Sequence, residues 1–146
     1  MAHDMALSPS PQTAAEIARM AIPFVKQNYG VTLDYTPGTL PRVDEVLDDL
    51  RQDQTFEDLQ PLLFSLGCYV GEVLARQTKA TWQKTEDLGL RAAASAPMVI
   101  RMPDGRGCNP IGMVYKRFRN GPEESVAAFY RFMTDPGPDR PAPARK

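Results

Sequence analysis

One carboxylate lies within the most apolar stretch of this chain. Glu72 stands in the run Ser65–Arg76, where most of the other side chains are apolar or absent. Removing a carboxylate from water without a partner costs several kcal/mol or keeps the group protonated, so Glu72 must reach solvent or find a partner. In a cleft beside Tyr69 it could bind a ligand or act as a general acid or base. Arg76, four residues later, could instead form an ion pair with it.

Proton transfer at Glu72 would need a second titratable group, and the chain offers few. His3, the single histidine, lies in the polar N-terminal segment, so nucleophilic sites that use histidine are excluded unless that segment folds back. Cys68 and Cys108 match no metal-ligand spacing, and the sequence contains no glycine-rich phosphate loop. We therefore expect no catalytic residue, no metal and no cofactor.

A second candidate site is a basic segment in the C-terminal half. Five basic side chains face one acidic side chain between residues 97 and 119, and Tyr115 and Phe118 are interleaved with them. Such a pattern can bind single-stranded nucleic acid through phosphate contacts and base stacking. The formal net charge of -1 argues against this alternative. Arg117 could equally pair with Glu72. The basic residues are Arg101, Arg106, Lys116, Arg117 and Arg119.

Three helices are predicted in the N-terminal half. The first begins after Thr13, is kinked or ended by Pro23 and closes at Gly30. The second has a buried face with the i, i+3, i+4, i+7 spacing that is typical of a helix. The third covers residues 56–78 or 59–78. The buried face of the second helix consists of Val43, Val46, Leu47 and Leu50.

The third helix is apolar around most of its circumference, which predicts a central position in the fold. Ser65, Glu72 and Arg76 share its polar stripe, which we expect to face either solvent or the basic segment. Gly67 and Gly71 would each cost about 1 kcal/mol relative to alanine inside a helix. A closely packed neighbour is therefore expected at both glycines.

The outer face of the second helix and the segment after it are acidic. Seven carboxylates between residues 42 and 58 accompany only Arg42 and Arg51. A solvated helix surface is the simpler interpretation, and an acidic docking face is the alternative. The carboxylates are Asp44, Glu45, Asp48, Asp49, Asp53, Glu57 and Asp58.

An antiparallel β-meander of about three strands is predicted after the third helix, followed by a closing helix. Trp82 lies in the first strand and is expected to anchor the core or to serve as an interface residue. Proline, aspartate and glycine at residues 103–105 predict a turn that leads into a return strand over Ile111–Phe118. Helices combined with such a sheet define an α+β fold. The strands are predicted at 80–85, 98–102 and 111–118, and the closing helix begins near Asn120 and buries Val126, Phe129, Tyr130 and Met133.

The length of 146 residues predicts one domain, at residues 13–133. Residues 1–12 and the proline-rich residues 134–146 have too little apolar content to form a core and are expected to be disordered. The sequence shows neither a signal-peptide pattern nor a membrane-spanning run, and two unpaired cysteines suit a reducing compartment. We therefore expect a cytoplasmic protein.

Several short motifs resemble those of a family of small uncharacterised bacterial proteins. They are LDYxPxxL at residues 33–40, GxYxGEVL at residues 67–74 and KRxxNG at residues 116–121, together with Trp82. The resemblance covers about residues 30–132. A Gly-Gly-x-Trp element that we associate with this family keeps only its tryptophan here. The resemblance implies a bacterial cytoplasmic domain with no established activity, cofactor or catalytic residue.

The sequence favours a small binding module that acts through a protein partner, as an adaptor, chaperone-like or immunity-type protein would. A small-ligand site or enzyme centred on Glu72 is the first alternative, and weak binding of single-stranded nucleic acid by the basic segment is the second. The sequence does not predict the oligomeric state. The candidate binding residues are Tyr69, Glu72, Arg76, Trp82, Lys116 and Arg117.

Overall fold

Helices dominate the fold, and a small antiparallel sheet lies between the fourth and fifth of them. The computed structural model describes residues 8–88 and 96–135. Most of both expected disordered tails, including His3, and part of the connector before the second strand lie outside these residues. The described part has the predicted α+β architecture.

The predicted first helix is divided into two. Helix α1 covers Ala14–Arg19 and α2 covers Ala21–Tyr29, with Met20 between them. Pro23 lies in the first turn of α2, where its missing N–H disturbs no helical hydrogen bond, so the break precedes the proline. Gly30 ends α2 at φ 69°, a left-handed conformation that suits glycine.

The second and third predicted helices are present with nearly the predicted bounds. Helix α3 covers Leu40–Leu50 and buries the four predicted apolar residues. Helix α4 covers Phe56–Thr78, and the Thr55 side chain accepts a hydrogen bond from the backbone N–H of Asp58. Helix α4 packs against α1, α2, α5 and α6, which gives it the predicted central position.

The sheet has three short strands in the order β1–β2–β3. Strand β1 covers Thr81–Lys84, β2 covers Met98–Arg101 and β3 covers Gly107–Cys108. Trp82 pairs with Ile100 and Ile100 with Cys108, both in antiparallel register. The predicted turn connects β2 and β3, with Gly105 at φ 95°.

The predicted return strand over residues 111–118 is wrong, because this segment is a helix. Helix α5 covers Pro110–Asn120 and begins with an Asn109 cap, whose Oδ1 accepts from the N–H of Gly112 at 2.9 Å. Its buried side chains are spaced as in an amphipathic helix, and the alternation of apolar and polar residues in so short a window also fits a strand. They include Ile111, Val114, Tyr115 and Phe118.

The closing helix α6 covers Val126–Thr134, after a 3-10 turn at Pro122–Glu124 where the helix was predicted to start. Val126 and Met133 are buried as predicted, whereas Phe129 and Tyr130 are half-buried. Within residues 8–88 and 96–135 no helix combines the length and hydropathy that crossing a membrane requires.

Candidate functional site

Glu72 is buried and has two hydrogen-bond partners. Its side chain is 10 % exposed. Nε of Arg76 donates to Oε1 at 3.2 Å, and Nε1 of Trp82 donates to Oε2 at 3.0 Å. The ion pair with Arg76 was predicted, but the expectation that the polar stripe presents Glu72 to solvent or to the basic segment is wrong. The sequence did not indicate Trp82 as a partner.

The glycines of α4 explain how Trp82 and α5 come so close. A methyl group added at Gly71 would overlap the Trp82 ring and would lie 3.2 Å from Cγ of Pro110. A methyl group at Gly67 would lie 2.5 Å from the Cα of Ile111. Both glycines therefore admit a neighbour, as predicted. Because Gly71 has no side chain, the indole of Trp82 comes close enough to α4 to reach Glu72, the next residue.

Arg76 is held on an aromatic stack. Its Cζ lies 3.6 Å from the centroid of the Tyr35 ring, and the Tyr35 ring lies 5.1 Å from that of Tyr69. The Arg76 side chain is 45 % exposed, so the stack leads from the core to the surface. The Tyr35 backbone has φ 70°, an uncommon conformation for a non-glycine residue. Tyr35 is a part of the site that the sequence did not single out, although it lies in the first quoted motif.

The hydroxyl group of Tyr69 joins this stack to the segment before α3. It accepts from the backbone N–H of Tyr35 at 2.9 Å and lies 2.6 Å from Oγ1 of Thr39. Burial raises the pKa of Tyr69. The Tyr35 hydroxyl is buried and has no hydrogen-bond partner among the described residues, and desolvation raises its pKa as well. Tyr69 therefore positions Tyr35 and has no free hydroxyl for a ligand.

Arg117 lies in a separate, buried cluster. It is 3 % exposed and donates through Nε to Oδ1 of Asp44 at 3.0 Å and through Nη1 to Oδ1 of Asp48 at 2.8 Å. Its Nη2 donates to the Asp44 backbone oxygen at 3.2 Å. The hydrogen bond from Arg117 lowers the pKa of Asp48 and raises the pKa of Arg117 itself. The alternative pairing of Arg117 with Glu72 is therefore wrong.

Asp44 also fixes the start of α6. Its carboxylate accepts from Oγ of Ser125 at 2.9 Å and from the N–H groups of Val126 and Ala127 at 2.8 and 3.1 Å. A carboxylate at a helix N-terminus satisfies unpaired N–H groups and interacts favourably with the helix dipole. The Asp44–Arg117 cluster thus holds α3, α5 and α6 together. Three of the seven acidic residues thus make contacts between helices, because Asp49 also accepts a hydrogen bond from the Tyr29 hydroxyl at 2.7 Å.

The basic residues do not form one surface. Arg106 donates to Oδ2 of Asp104 at 2.7 Å and to the backbone oxygen of Met133 at 2.9 Å. The guanidinium of Arg119 lies 3.9 Å from the ring of Phe56. Lys116 is exposed on α5, one residue before the buried Arg117. The structure therefore brings Tyr69, Glu72, Arg76 and Trp82 together, and places Lys116 and Arg117 elsewhere.

The described residues contain no group of three or more histidine, cysteine, aspartate or glutamate side chains that could hold a metal ion. Comparison with protein-family models, with curated proteins and with solved structures finds no match to this chain. The resemblance to uncharacterised bacterial proteins stays a prediction. What the site can bind is therefore inferred from the contacts and exposure of its own side chains.

Proposed function

We propose that the protein is a non-enzymatic cytoplasmic binding module that acts through a protein partner. One observation carries the proposal: the carboxylate at the centre of the site serves to hold a cation at the surface. Glu72 binds Nε of Arg76, and Tyr35 supports the flat face of the same guanidinium. A fixed, half-exposed arginine beside aromatic rings is typical of the residues that dominate protein interfaces.

The geometry gives less support to a ligand site or enzyme at Glu72. Each of its oxygens already accepts a hydrogen bond from within the chain, at 3.2 and 3.0 Å. A general base must come within hydrogen-bond distance of the proton that it removes. The Glu72 side chain is only 10 % exposed and is covered by Arg76 and Trp82, so a substrate has little access to its oxygens.

Nucleic acid binding also receives little support from the geometry. Arg117 is buried between Asp44 and Asp48, and Arg106 is bound to Asp104. Tyr115 is buried, and its hydroxyl accepts a hydrogen bond from Gln60 at 3.0 Å. Phosphate contacts need accessible cations, and base stacking needs accessible rings.

Site-specific photocrosslinking in a bacterial lysate tests the proposal. A photoreactive phenylalanine analogue replaces Lys79, the exposed residue that caps α4 three positions after Arg76, in the tagged full chain. The matched control carries the analogue at the exposed Asp58, on α4 about 27 Å from Arg76 at 1.5 Å per residue. We expect one discrete protein adduct from position 79, and the purified adduct partner should then form a complex of defined stoichiometry in native mass spectrometry.

Two results would contradict the proposal. If neither position gives a protein adduct, the chain does not bind a protein partner through this face. If both positions give the same set of adducts, the contacts are non-specific. An adduct from position 58 alone would move the interface to the acidic end of α4. Circular dichroism of both variants establishes that they fold before either result is interpreted.

A further inference from the structure

We propose that Arg76 recognises a side-chain carboxylate of the partner, an aspartate or glutamate, through its two Nη groups. The inference rests on the proposed function and specifies the chemical group of the partner that is bound. It follows from how the guanidinium is held. Nε donates to Glu72 at 3.2 Å, and the described residues offer the Nη groups no hydrogen-bond partner.

Glu72 binds Arg76 through Nε alone and leaves both Nη groups free. An arginine and a carboxylate commonly form two parallel hydrogen bonds, which use both oxygens. Here Oε1 of Glu72 accepts from Nε of Arg76 at 3.2 Å, whereas Oε2 accepts from Nε1 of Trp82 at 3.0 Å. The ion pair therefore engages one of the five guanidinium donors. The end-on pair of Nη groups keeps the spacing that fits a second carboxylate.

The surroundings of Arg76 also reduce the entropic cost of binding. Its guanidinium is fixed at Nε by Glu72 and across its face by the Tyr35 ring, at 3.6 Å. The Tyr35 ring is itself held by Tyr69, whose hydroxyl accepts from the Tyr35 N–H at 2.9 Å. Immobilising a free side chain on binding has an entropic cost, and the contacts with Glu72 and Tyr35 meet part of this cost in the folded protein.

The strained backbone of Tyr35 points to the same site. A left-handed conformation at a bulky residue persists only where surrounding contacts hold it, and such residues are concentrated at functional sites. Gln77 contributes one of these contacts, because its Nε2 donates to the Tyr35 backbone oxygen at 3.3 Å. The φ of 70° turns the ring into the space between Arg76 and Tyr69.

The charge balance favours a carboxylate over a phosphate. The ion pair of Arg76 with Glu72 is formally neutral, so the site offers directed donors with little net positive charge. A phosphate monoester carries about -1.5 to -2 charges and would lie close to the carboxylate of Glu72. A side-chain carboxylate carries one charge and matches the fork with two hydrogen bonds.

Titration with short peptides tests the inference without knowledge of the partner. The probes are N-acetylated, C-amidated tetraglutamate, the tetraglutamine peptide of equal length and a tetrapeptide with one phosphoserine. Trp82 is the single tryptophan, so its indole N–H gives one NMR signal, next to Glu72. We expect tetraglutamate to shift this signal and the Arg76 Nε–H signal with millimolar affinity.

Variants of two arginines supply the matched control. Arg76→Lys keeps the charge and loses the planar fork, and should weaken tetraglutamate binding roughly tenfold. Arg131→Lys makes the same change at an exposed position on α6 and should leave the affinity within twofold of that of the wild type. Tetraglutamine should not bind.

Three outcomes of these titrations would overturn the inference. Unchanged spectra with tetraglutamate, equal affinity of Arg76→Lys and the wild type, or tighter binding of the phosphoserine peptide would each refute carboxylate recognition. The photocrosslinked adduct separates this failure from that of the proposed function. If the adduct forms equally well with Arg76→Lys, the partner exists and the recognition by Arg76 is wrong, whereas loss of every adduct from the wild type contradicts the proposed function.

Discussion

Replacing Gly71 by alanine should destabilise the protein, although the same change in an exposed helix stabilises it. Alanine is favoured over glycine by about 1 kcal/mol inside a helix. At Gly71 the added methyl group would overlap the ring of Trp82 and contact Pro110 at 3.2 Å. The indole must move, because the helix backbone cannot.

The expected magnitude follows from two costs and one gain. Overpacking a filled site costs about 1–3 kcal/mol. Moving the indole breaks its hydrogen bond to Glu72 and leaves a buried polar group unpaired, at about 1–3 kcal/mol more. After subtraction of the gain in helix propensity, we expect the free energy of unfolding to fall by roughly 3 kcal/mol. This corresponds to a loss of roughly 10 °C in Tm.

Urea denaturation measures the effect through far-UV circular dichroism and the fluorescence of Trp82. Gly38→Ala is the control, because a methyl group there meets nothing within 4 Å; it should change the free energy of unfolding by less than about 0.5 kcal/mol. In a Trp82→Leu background, Gly71→Ala should lose most of its cost. If Gly71→Ala proves as stable as the wild type, or its cost is unchanged without the indole, the packing explanation is refuted.

Three further perturbations probe the charged and titratable groups. Arg117→Met should lower the free energy of unfolding by about 3–5 kcal/mol in urea denaturation, since it leaves Asp44, whose side chain is 13 % exposed, without its counter-ion. Asp48→Asn, at a side chain 42 % exposed, should cost less than half as much, and equal costs would contradict this difference. Glu72→Gln keeps an acceptor for Trp82 but removes the charge that faces the half-exposed Arg76. We expect the free energy of unfolding, measured by thermal unfolding, to fall by about 1–2 kcal/mol. A change near zero would show that the ion pair contributes nothing to stability. Burial raises the pKa of the Cys68 thiol to about 12. Because the thiol of the unfolded chain loses its proton from about pH 8.5, the free energy of unfolding should fall by up to about 1.4 kcal/mol per pH unit between those two values. The free energies of unfolding of the wild type and of Cys68→Ala should therefore diverge above about pH 9.

Periodicity was sufficient to predict the long elements of the fold. Helices α3 and α4 follow from apolar spacing over 11 and 23 residues. The segment of α5 has only 11 residues, and its alternation over Met113–Phe118 fitted a strand equally well. The deciding signals were Asn109-Pro110 at its start and Gly121 at its end, which are typical of a helix cap and stop.

The partners of the site residues depend on contacts that are distant in sequence, and local patterns do not specify these. Glu72 and Arg76 are one helical turn apart, so their pairing could be predicted. Trp82 reaches Glu72 only because the chain reverses after Thr78 and the ring lies over Gly71. The sequence shows an acidic α3 and a basic segment around Arg117, but local patterns do not specify which carboxylates pair with this arginine.

Two arginines of this fold show how the same side chain serves opposite purposes. Arg117 donates hydrogen bonds from Nε, Nη1 and Nη2 within the chain and is 3 % exposed. Its guanidinium therefore joins α3, α5 and α6 and does not face a partner. Arg76 is held by Glu72 and by the Tyr35 ring, uses Nε alone and is 45 % exposed. Among the described residues nothing accepts a hydrogen bond from the two Nη groups, so the fold itself makes no use of them. A buried glutamate, an indole and a strained tyrosine that together fix one surface guanidinium are better explained by the binding of a second carboxylate from outside the chain.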